Sequence, residues 1–502
     1  MSTIHLRKDK WTEQQKQLHE QVSQLPIKIL QIGEGNFLRG FFDWMIYESR
    51  KQGIYDGAIA VTQPRLHGKP KIEALAKQEG AYTLVTRGLD QGKQVEQKEV
   101  ISVFGAVFDP YEYWEQFLAL ARNESLRIVV SNTTEAGLVY REEQLQEGVA
   151  IQSFPGKLTK LLYERYQIFN GAADKGLICL PCELLERNGD TLKTCVLKYS
   201  DDWGYPEAFK TWVVEHNQFL NTLVDRIVTG YPDEAQANAW FEEWGYEDTQ
   251  LTTAEPYHLW AIEADGSQME KILPLQQAGL NVHWVDDLVP FQLRKVRILN
   301  GAHTLMTPLA ILHDKEHVRE TMEDERIGAF VRQTVEQEII PVMPMDKQAL
   351  QQYAQDVYER FLNPFIRHRL ADIAMNSLSK FTTRLLPNYL YYMEQQQSIP
   401  SGLLQAFAGL IRYYKVSQAE AGQFVGKTLS GVTYTVRDDE ALLQEVAAIW
   451  KQHEQAGQSL VDTMTELLGK TNIWGHQLAE KSPELAQQLA DIIEEMEGVS
   501  HE

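Results

Sequence analysis

A chain of 502 residues with 43% hydrophobic residues is long enough for two domains with separate cores. Its formal charge of −22 argues against a nucleic-acid partner, which needs a basic footprint. No run of 18 or more apolar residues occurs and the opening MSTIHLRKDKWTEQQKQ lacks the apolar centre of a signal peptide, so a cytoplasmic protein with no membrane partner is expected.

The run IKILQI at 27–32 reads as a strand, and FFDWMI after GEGNFLRG (33–40) has helical periodicity, giving a strand, a glycine turn and a helix. Gly33 permits the tight turn, Gly35 lets the backbone approach a pyrophosphate, and the helix start offers N–H groups to it. The third glycine of G-x-G-x-x-G falls where Leu38 stands, and the next glycine is Gly40. The following strand, 58–62, ends without the acidic residue that binds a ribose in dinucleotide folds; Gln63, Pro64 and Arg65 stand there, leaving NAD or NADP open. From 81 to 109, YTLVTRG and VISVFGAVF, separated by polar residues, predict an antiparallel, β-rich extension.

Strands at 128–132 and 176–182 continue an alternation with helices that predicts a parallel α/β sheet. Ser131, Asn132, Thr133, Thr134 and Glu135 follow one strand end, where open sheets bind ligands, so Asn132 is a nicotinamide-side contact or a cap. Cys179 and Cys182 have no second Cys/His pair at zinc spacing and read as buried strand thiols, with no metal site; with Cys195 they point to a reducing compartment. Trp260 and Glu263 read as ordinary helix packing before they read as sugar contacts. The run 282–285 closes the first domain, Asp286 and Asp287 form a hinge, and Pro290 suits a first helical turn. Beyond it, apolar spacing in 316–340, 347–362, 367–395 and 401–415 predicts helices. The expected fold is an α/β N-terminal Rossmann-like domain with a β-rich extension, 1–285, followed by a mostly α-helical C-terminal domain, 286–502, with chemistry in the cleft between them.

KVRILNGAH at 295–303 is the candidate reaction centre. On an α-helix Asn300 lies about 140° round from Lys295 with His303 about 80° from it, so all three can face one cavity. A lysine can trade a proton with an alcohol, an amide can donate to its oxygen, and an imidazole can orient a hydroxyl. The bland alternative for the pattern is a solvated helix face; the alternative of a different class for the whole chain is a nucleotide-binding sensor or scaffold without turnover. Retention of all three residues favours the enzyme.

The opening G-x-G-N-F-x-R-G, NTLVDRI at 221–227, the Lys-x4-Asn-x2-His helix and RFLNP at 360–364 together resemble the polyol-specific long-chain dehydrogenase/reductase family, over nearly the whole chain. The resemblance implies NAD-dependent, metal-independent hydride transfer to a sugar or sugar acid. It implies Lys295 as general acid/base, Asn300 polarising the keto oxygen and His303 holding substrate, with Ile32, Gly33, Gly35, Asn36, Phe37, Arg39 and Asn132 at the cofactor. The family's mannitol dehydrogenases carry an asparagine where this chain has Leu184, which cannot donate a hydrogen bond, so mannitol is disfavoured. SNTTEAG at 131–137 and LPCELLERNGDTLK at 180–193 point instead to the family's sugar-acid members. Asp225 is expected to orient a basic residue or a substrate hydroxyl, or to form a helix-surface salt bridge. Because substrate and cofactor are anionic, local cations must overcome the field of the chain. Arg39 is the candidate at phosphate, and Lys380 with Arg384, an i, i+4 pair, is the candidate carboxylate clamp or a solvated face.

Overall fold

The computed structural model describes residues 6, 8–395, 397–419 and 422–498; residues 1–5 and 7 of the opening stretch read above for a signal core lie outside them. The chain divides into two compact units, Met1–Val289 and Pro290–Glu502.

In the first unit, strands β1 (Ile27–Ile32), β2 (Ala58–Thr62), β3 (Ala81–Asp90), β4 (Lys93–Ser102), β5 (Phe104–Val107), β6 (Ile128–Ser131), β7 (Ile178–Pro181) and β8 (Gln218–Phe219) are followed by β9 (Thr222–Asp225), β10 (Val228–Gly230), β11 (Thr252–Ala254), β12 (Leu259–Glu263) and β13 (Val282–Val285). Six of them form a parallel sheet in the order β5-β2-β1-β6-β7-β8. Successive side chains point to opposite faces: Ile29, Ile59 and Val130 enter one core with Phe42 and Ile46, and Leu30, Ala60 and Val129 enter the other with Phe154 and Leu158. Each of the larger apolar side chains, fully buried, contributes roughly 1.5–3 kcal/mol, and the Ala60 methyl roughly 0.8 kcal/mol. The chain leaves β1 toward β2 on one side and returns to β6 on the other, so the topological switch point lies at the carboxyl end of β1.

The β-rich extension is present, as β3 paired antiparallel with β4 in a sheet ordered β10-β11-β3-β4. Its boundaries differ from expectation. The polar run 93–99 belongs to β4, an exposed edge strand, while VISVFGAVF breaks at Val103 and its second half crosses to the parallel sheet. Trp260 and Glu263 lie on strand β12 rather than a helix, and Trp260 is wholly buried. Asp225 ends strand β9, opposite Leu259, so the helix-surface reading of it fails.

Among the described residues the second unit is mostly helical, with an antiparallel sheet the apolar spacing did not predict: β14 (Ser417–Gln418), β15 (Phe424–Lys427) and β16 (Thr433–Val436). Its central helix, Asn300–Leu312, lies against Ser401–Tyr413, where a Cβ on Gly409 would sit 2.5 Å from Leu309. Helix Ser377–Arg384 is anchored through Phe381, whose ring is 4.6 Å from Phe407 and 5.3 Å from Tyr389.

Candidate functional site

The glycine turn closes as its sequence requires. Gly33 has φ +133°, a conformation that L side chains rarely adopt, and its N–H donates to the Thr62 carbonyl at 2.8 Å. A Cβ there would stand 2.8 Å from the Asn132 carbonyl oxygen, so only glycine fits between the ends of β2 and β6. Gly35 has nothing within 4 Å of its would-be Cβ and faces open space. Gly35 caps a four-residue helix, Asn36–Arg39, and the longer helix Phe42–Lys51 follows. The missing third glycine is explained by a shift of two positions: Leu38 is buried, and Gly40 makes the close approach, with its would-be Cβ 2.8 Å from Val228 on β10.

The other expected cofactor residues divide by where they point. The Ile32 side chain is buried core, and its carbonyl accepts from the Asn132 N–H at 3.2 Å. Asn36 is exposed and packs against Gly230, and half-buried Phe37 stacks on Phe41 at 4.9 Å. Arg39 departs from the phosphate role expected of it. It is 5% exposed, donates to the carbonyls of Glu34 (3.2 Å) and Gln250 and to Asn36 Oδ1 (2.6 Å), and lies over the Tyr82 ring. Its guanidinium is directed into the protein and braces the loop from within. Arg226, two residues before β10, does the same from the other side, donating to the Gly40 carbonyl at 2.7 Å and the Glu255 carbonyl at 2.9 Å.

At the end of β6, Asn132 is half-buried and donates to the Cys182 carbonyl at 2.8 Å. Glu183, which sequence reasoning passed over, is 2% exposed and accepts from Ser131 Oγ (3.0 Å), Thr133 N (2.9 Å) and Thr133 Oγ1 (2.9 Å). Burial raises its pKa, against the pull of those bonds. Thr134, a β-branched residue at φ +71°, follows directly, so the fastened loop holds local strain beside the switch point. Leu184 is 67% exposed.

A cavity of about 520 Å³ opens beside this turn, walled by Pro64, Arg65, Leu66 and His67 after β2 and by Thr133, Ala136 and Gly137 after β6. Arg65 is exposed and reaches Thr133 O and Thr134 Oγ1 only at 3.4 Å. The residues fit a dinucleotide: a turn that a Cβ would fill at Gly33, open space at Gly35, and a cavity at the strand ends where the ribose half belongs.

In the second unit the reaction-centre helix is not a plain α-helix. Residues Lys295–Leu299 form a π turn in which the Asn300 N–H donates to the Lys295 carbonyl. The i→i+5 bond sets Asn300 about one turn above Lys295, closer in azimuth than the α spacing gives. Both are half-buried. The Asn300 carbonyl accepts from Thr304 Oγ1 at 3.0 Å, and Arg384 Nη1 donates to the same Thr304 oxygen at 3.1 Å, so helix Ser377–Arg384 is tied to this one.

His303 is half-buried, its Nε2 is buried without a hydrogen-bond partner, and its ring lies 4.4 Å from Phe361 and 4.9 Å edge-on from His368. Burial, and then His368, Arg384, Arg360 and Lys380 in turn, push its pKa well below the usual histidine value, so it is neutral. Burial also lowers the pKa of Arg384, and that of Lys380, where Arg384 adds to the effect; Lys380 Nζ donates to the Ile373 carbonyl at 2.8 Å. The expected residues Lys380, Arg384 and His303 therefore share one positively charged neighbourhood. Arg360 and His368 belong to it as well, and the only sequence signal for them was the RFLNP stretch that contains Arg360. Among the described residues no group of three or more His, Cys, Asp or Glu could hold a metal ion, and no helix is long and apolar enough to cross a membrane. The three cysteines are buried and free.

Comparison with known proteins agrees with this architecture. Residues 27–273 match the mannitol dehydrogenase Rossmann domain and residues 287–497 the mannitol dehydrogenase C-terminal domain. Relatives named altronate oxidoreductase include one from Halalkalibacterium halodurans, 40% identical over 94% of this chain and 92% of its own, and one from Bacillus subtilis, 40% identical over 95% and 94%. One from Escherichia coli is 39% identical over 93% of this chain and 94% of its own. Among solved structures, a substrate-free D-sorbitol dehydrogenase aligns with a TM-score of 0.75 at 20% identity, covering 94% of this chain and 93% of that one. The Pseudomonas fluorescens mannitol 2-dehydrogenase, a ternary complex with NAD and D-mannitol, aligns at 0.61 and 20%, covering 95% and 92%, so the fold is shared. With its Rossmann domain and its helical C-terminal domain both matched, the chain belongs to the mannitol dehydrogenase family.

Proposed function

We propose that this chain is an NAD-dependent oxidoreductase that reduces D-tagaturonate to D-altronate, and runs the reverse oxidation, in the cytoplasm and without a metal. The observation that carries the reading is the near-full-length likeness to relatives named altronate oxidoreductase. Within the family, SNTTEAG and LPCELLERNGDTLK were already the stretches favouring this sugar acid over mannitol.

NAD held by the Gly33–Gly35 turn and the β6 loop would supply the hydride for the carbonyl carbon in reduction and accept it in oxidation. Lys295 delivers the proton to the oxygen during reduction and takes it back during oxidation, and Asn300 donates to that oxygen as negative charge develops on it. The π turn supports the pairing, because it sets the two side chains one turn apart. His303, neutral, offers a hydrogen bond to a substrate hydroxyl through a nitrogen that has no protein partner. Lys380 and Arg384 hold the carboxylate, in a neighbourhood whose positive charges all act in one direction on His303. Asp225 orients a substrate hydroxyl or a basic residue. Gly33, Gly35 and the β6 loop with Asn132 receive the cofactor, NAD in preference to NADP. Arg39 serves it indirectly, by holding the loop.

Feeding the protein D-altronate, D-mannonate and D-mannitol in parallel with NAD tests the substrate. Rapid NADH formation on altronate alone is expected. Equal or faster turnover of mannonate would transfer the reading to a fructuronate reductase, and turnover of mannitol alone would remove the carboxylate from it.

A further inference from the structure

Behind the cavity at the ends of β2 and β6 lies a lysine that the reaction does not use. Lys157 stands in the first turn of helix Phe154–Ile168, which is capped by Ser153, and is fully buried. Its ammonium has three N–H groups and three close acceptors: Tyr111 Oη at 2.7 Å, the Gln152 carbonyl at 3.0 Å and the Pro64 carbonyl at 3.1 Å. Tyr111 Oη lies within 2.9 Å and 3.0 Å of the same two carbonyls, and Nζ is 4.5 Å from the centroid of the Tyr111 ring. One side chain thus joins three separate segments: the loop after β2, the turn at 109–113, and the loop leading into the helix.

Those segments are walls of the 520 Å³ cavity, which Pro64, Tyr111, Gln152, Ser153 and Phe154 line. Burial pushes the Lys157 pKa down to about 7, with Glu143 and Asp109 opposing it as the nearby acids. Both acids are occupied locally: Asp109 accepts from the Tyr111 N–H at 2.8 Å, and Glu143 accepts from the Ser153 N–H at 3.2 Å and from the Gln152 N–H. Keeping its protonated form buried without a directly bound carboxylate is costly, which is what the lowered pKa expresses. Its place in the fold is explained by the loop carbonyls that it satisfies.

We propose that Lys157 is a positioning residue for the adenosine half of the dinucleotide, holding the loop after β2 against the helix so that the cavity keeps the shape the ribose and base require. The inference rests on a dinucleotide occupying the ends of β1, β2 and β6, and is independent of which sugar acid is reduced. It assigns Lys157 no part in hydride or proton transfer.

The test is the affinity of the apoprotein for ADP-ribose and for NADH, by calorimetry and by cofactor fluorescence, in the unaltered protein, in Lys157→Met and in Tyr111→Phe. Tyr111→Phe keeps the ring and removes one member of the knot, so it answers the question should Lys157→Met fail to fold. ADP-ribose binding about tenfold weaker in Lys157→Met, a smaller loss in Tyr111→Phe, and a raised KM for NADH with an unchanged kcat are expected. Unchanged ADP-ribose affinity in a folded variant would overturn the assignment, as would a fall in kcat with KM for NADH unaltered. Failure of the unaltered protein to bind ADP-ribose would overturn the cofactor seat itself, whatever the outcome with altronate.

Discussion

Replacing Gly33 with alanine should damage the fold and the cofactor site together, whereas the same change at Gly35 should damage binding alone. At Gly33 the new Cβ would stand 2.8 Å from the Asn132 carbonyl oxygen, a backbone atom that cannot rotate away. Relief requires moving β1 against β6 or abandoning the 2.8 Å bond from the Gly33 N–H to Thr62. Losing one such bond costs about 0.5–1.5 kcal/mol. Holding a residue with a side chain at φ +133° adds about 1–3 kcal/mol, for a total of about 1.5–4.5 kcal/mol. Gly35 lies at φ −67°, allowed to any residue, with open space around its Cβ. Gly35→Ala should therefore stay within about 1 kcal/mol of the parent, the scale of a poorer helix N-cap, while weakening NADH binding, because the added methyl occupies space that the ligand needs. Urea unfolding followed by tryptophan fluorescence, with NADH titration of each variant, reads both quantities. A Gly33→Ala protein with unchanged stability and affinity would refute the argument for this turn, and a Gly35→Ala protein that binds NADH normally would remove the ligand from its open side.

Lys295→Met should lose turnover by a factor of about 10² or more and still bind NADH; retained turnover would show that the proton comes from elsewhere. Arg384→Gln should lower kcat/KM on tagaturonate by about 10- to 100-fold, the scale of one charge-assisted hydrogen bond, and lower that on neutral fructose far less; equal losses would count against a carboxylate clamp. Asp43, wholly buried beneath the glycine turn with Oδ1 unpartnered, has its pKa raised well above the usual carboxylate value by burial. The folded state therefore keeps a proton that the unfolded chain has lost above about pH 3.9, and stability falls as pH rises from there toward the raised folded value. Asp43→Asn should unfold at higher urea than the parent at pH 7, with the difference shrinking as pH approaches 4; an advantage independent of pH would contradict this.

The four central strands of the parallel sheet, β2, β1, β6 and β7, were legible in the sequence because they are short apolar runs ending in glycine or polar turns, while the edge strands β5 and β8 are too short and too exposed to stand out. The polar part of strand β4 was not, since an exposed edge strand carries KQVEQKE at 93–99 without an apolar side to reveal it. The helix period assumed for Lys295, Asn300 and His303 was wrong by one hydrogen bond, because a π turn leaves no mark in residue spacing. Residue type announced that Arg39 and Arg226 carry charge but not that both point inward, where the loop carbonyls lie. Glu183, His368 and Lys157 take their surroundings from segments distant in the chain, so no local pattern could have singled them out. Leu38 shows the reverse: a departure from the glycine motif that looked like a defect is compensated two residues later at Gly40.

The central claim is the reduction of a six-carbon keto-uronate, and the most direct measurement is the rate of NADH oxidation with tagaturonate, fructuronate and fructose side by side, repeated with NADPH and after a chelator. Fastest turnover of tagaturonate, with NADH and undiminished by the chelator, is expected. Turnover of fructose in preference to either uronate, or none with any of the three, would contradict it.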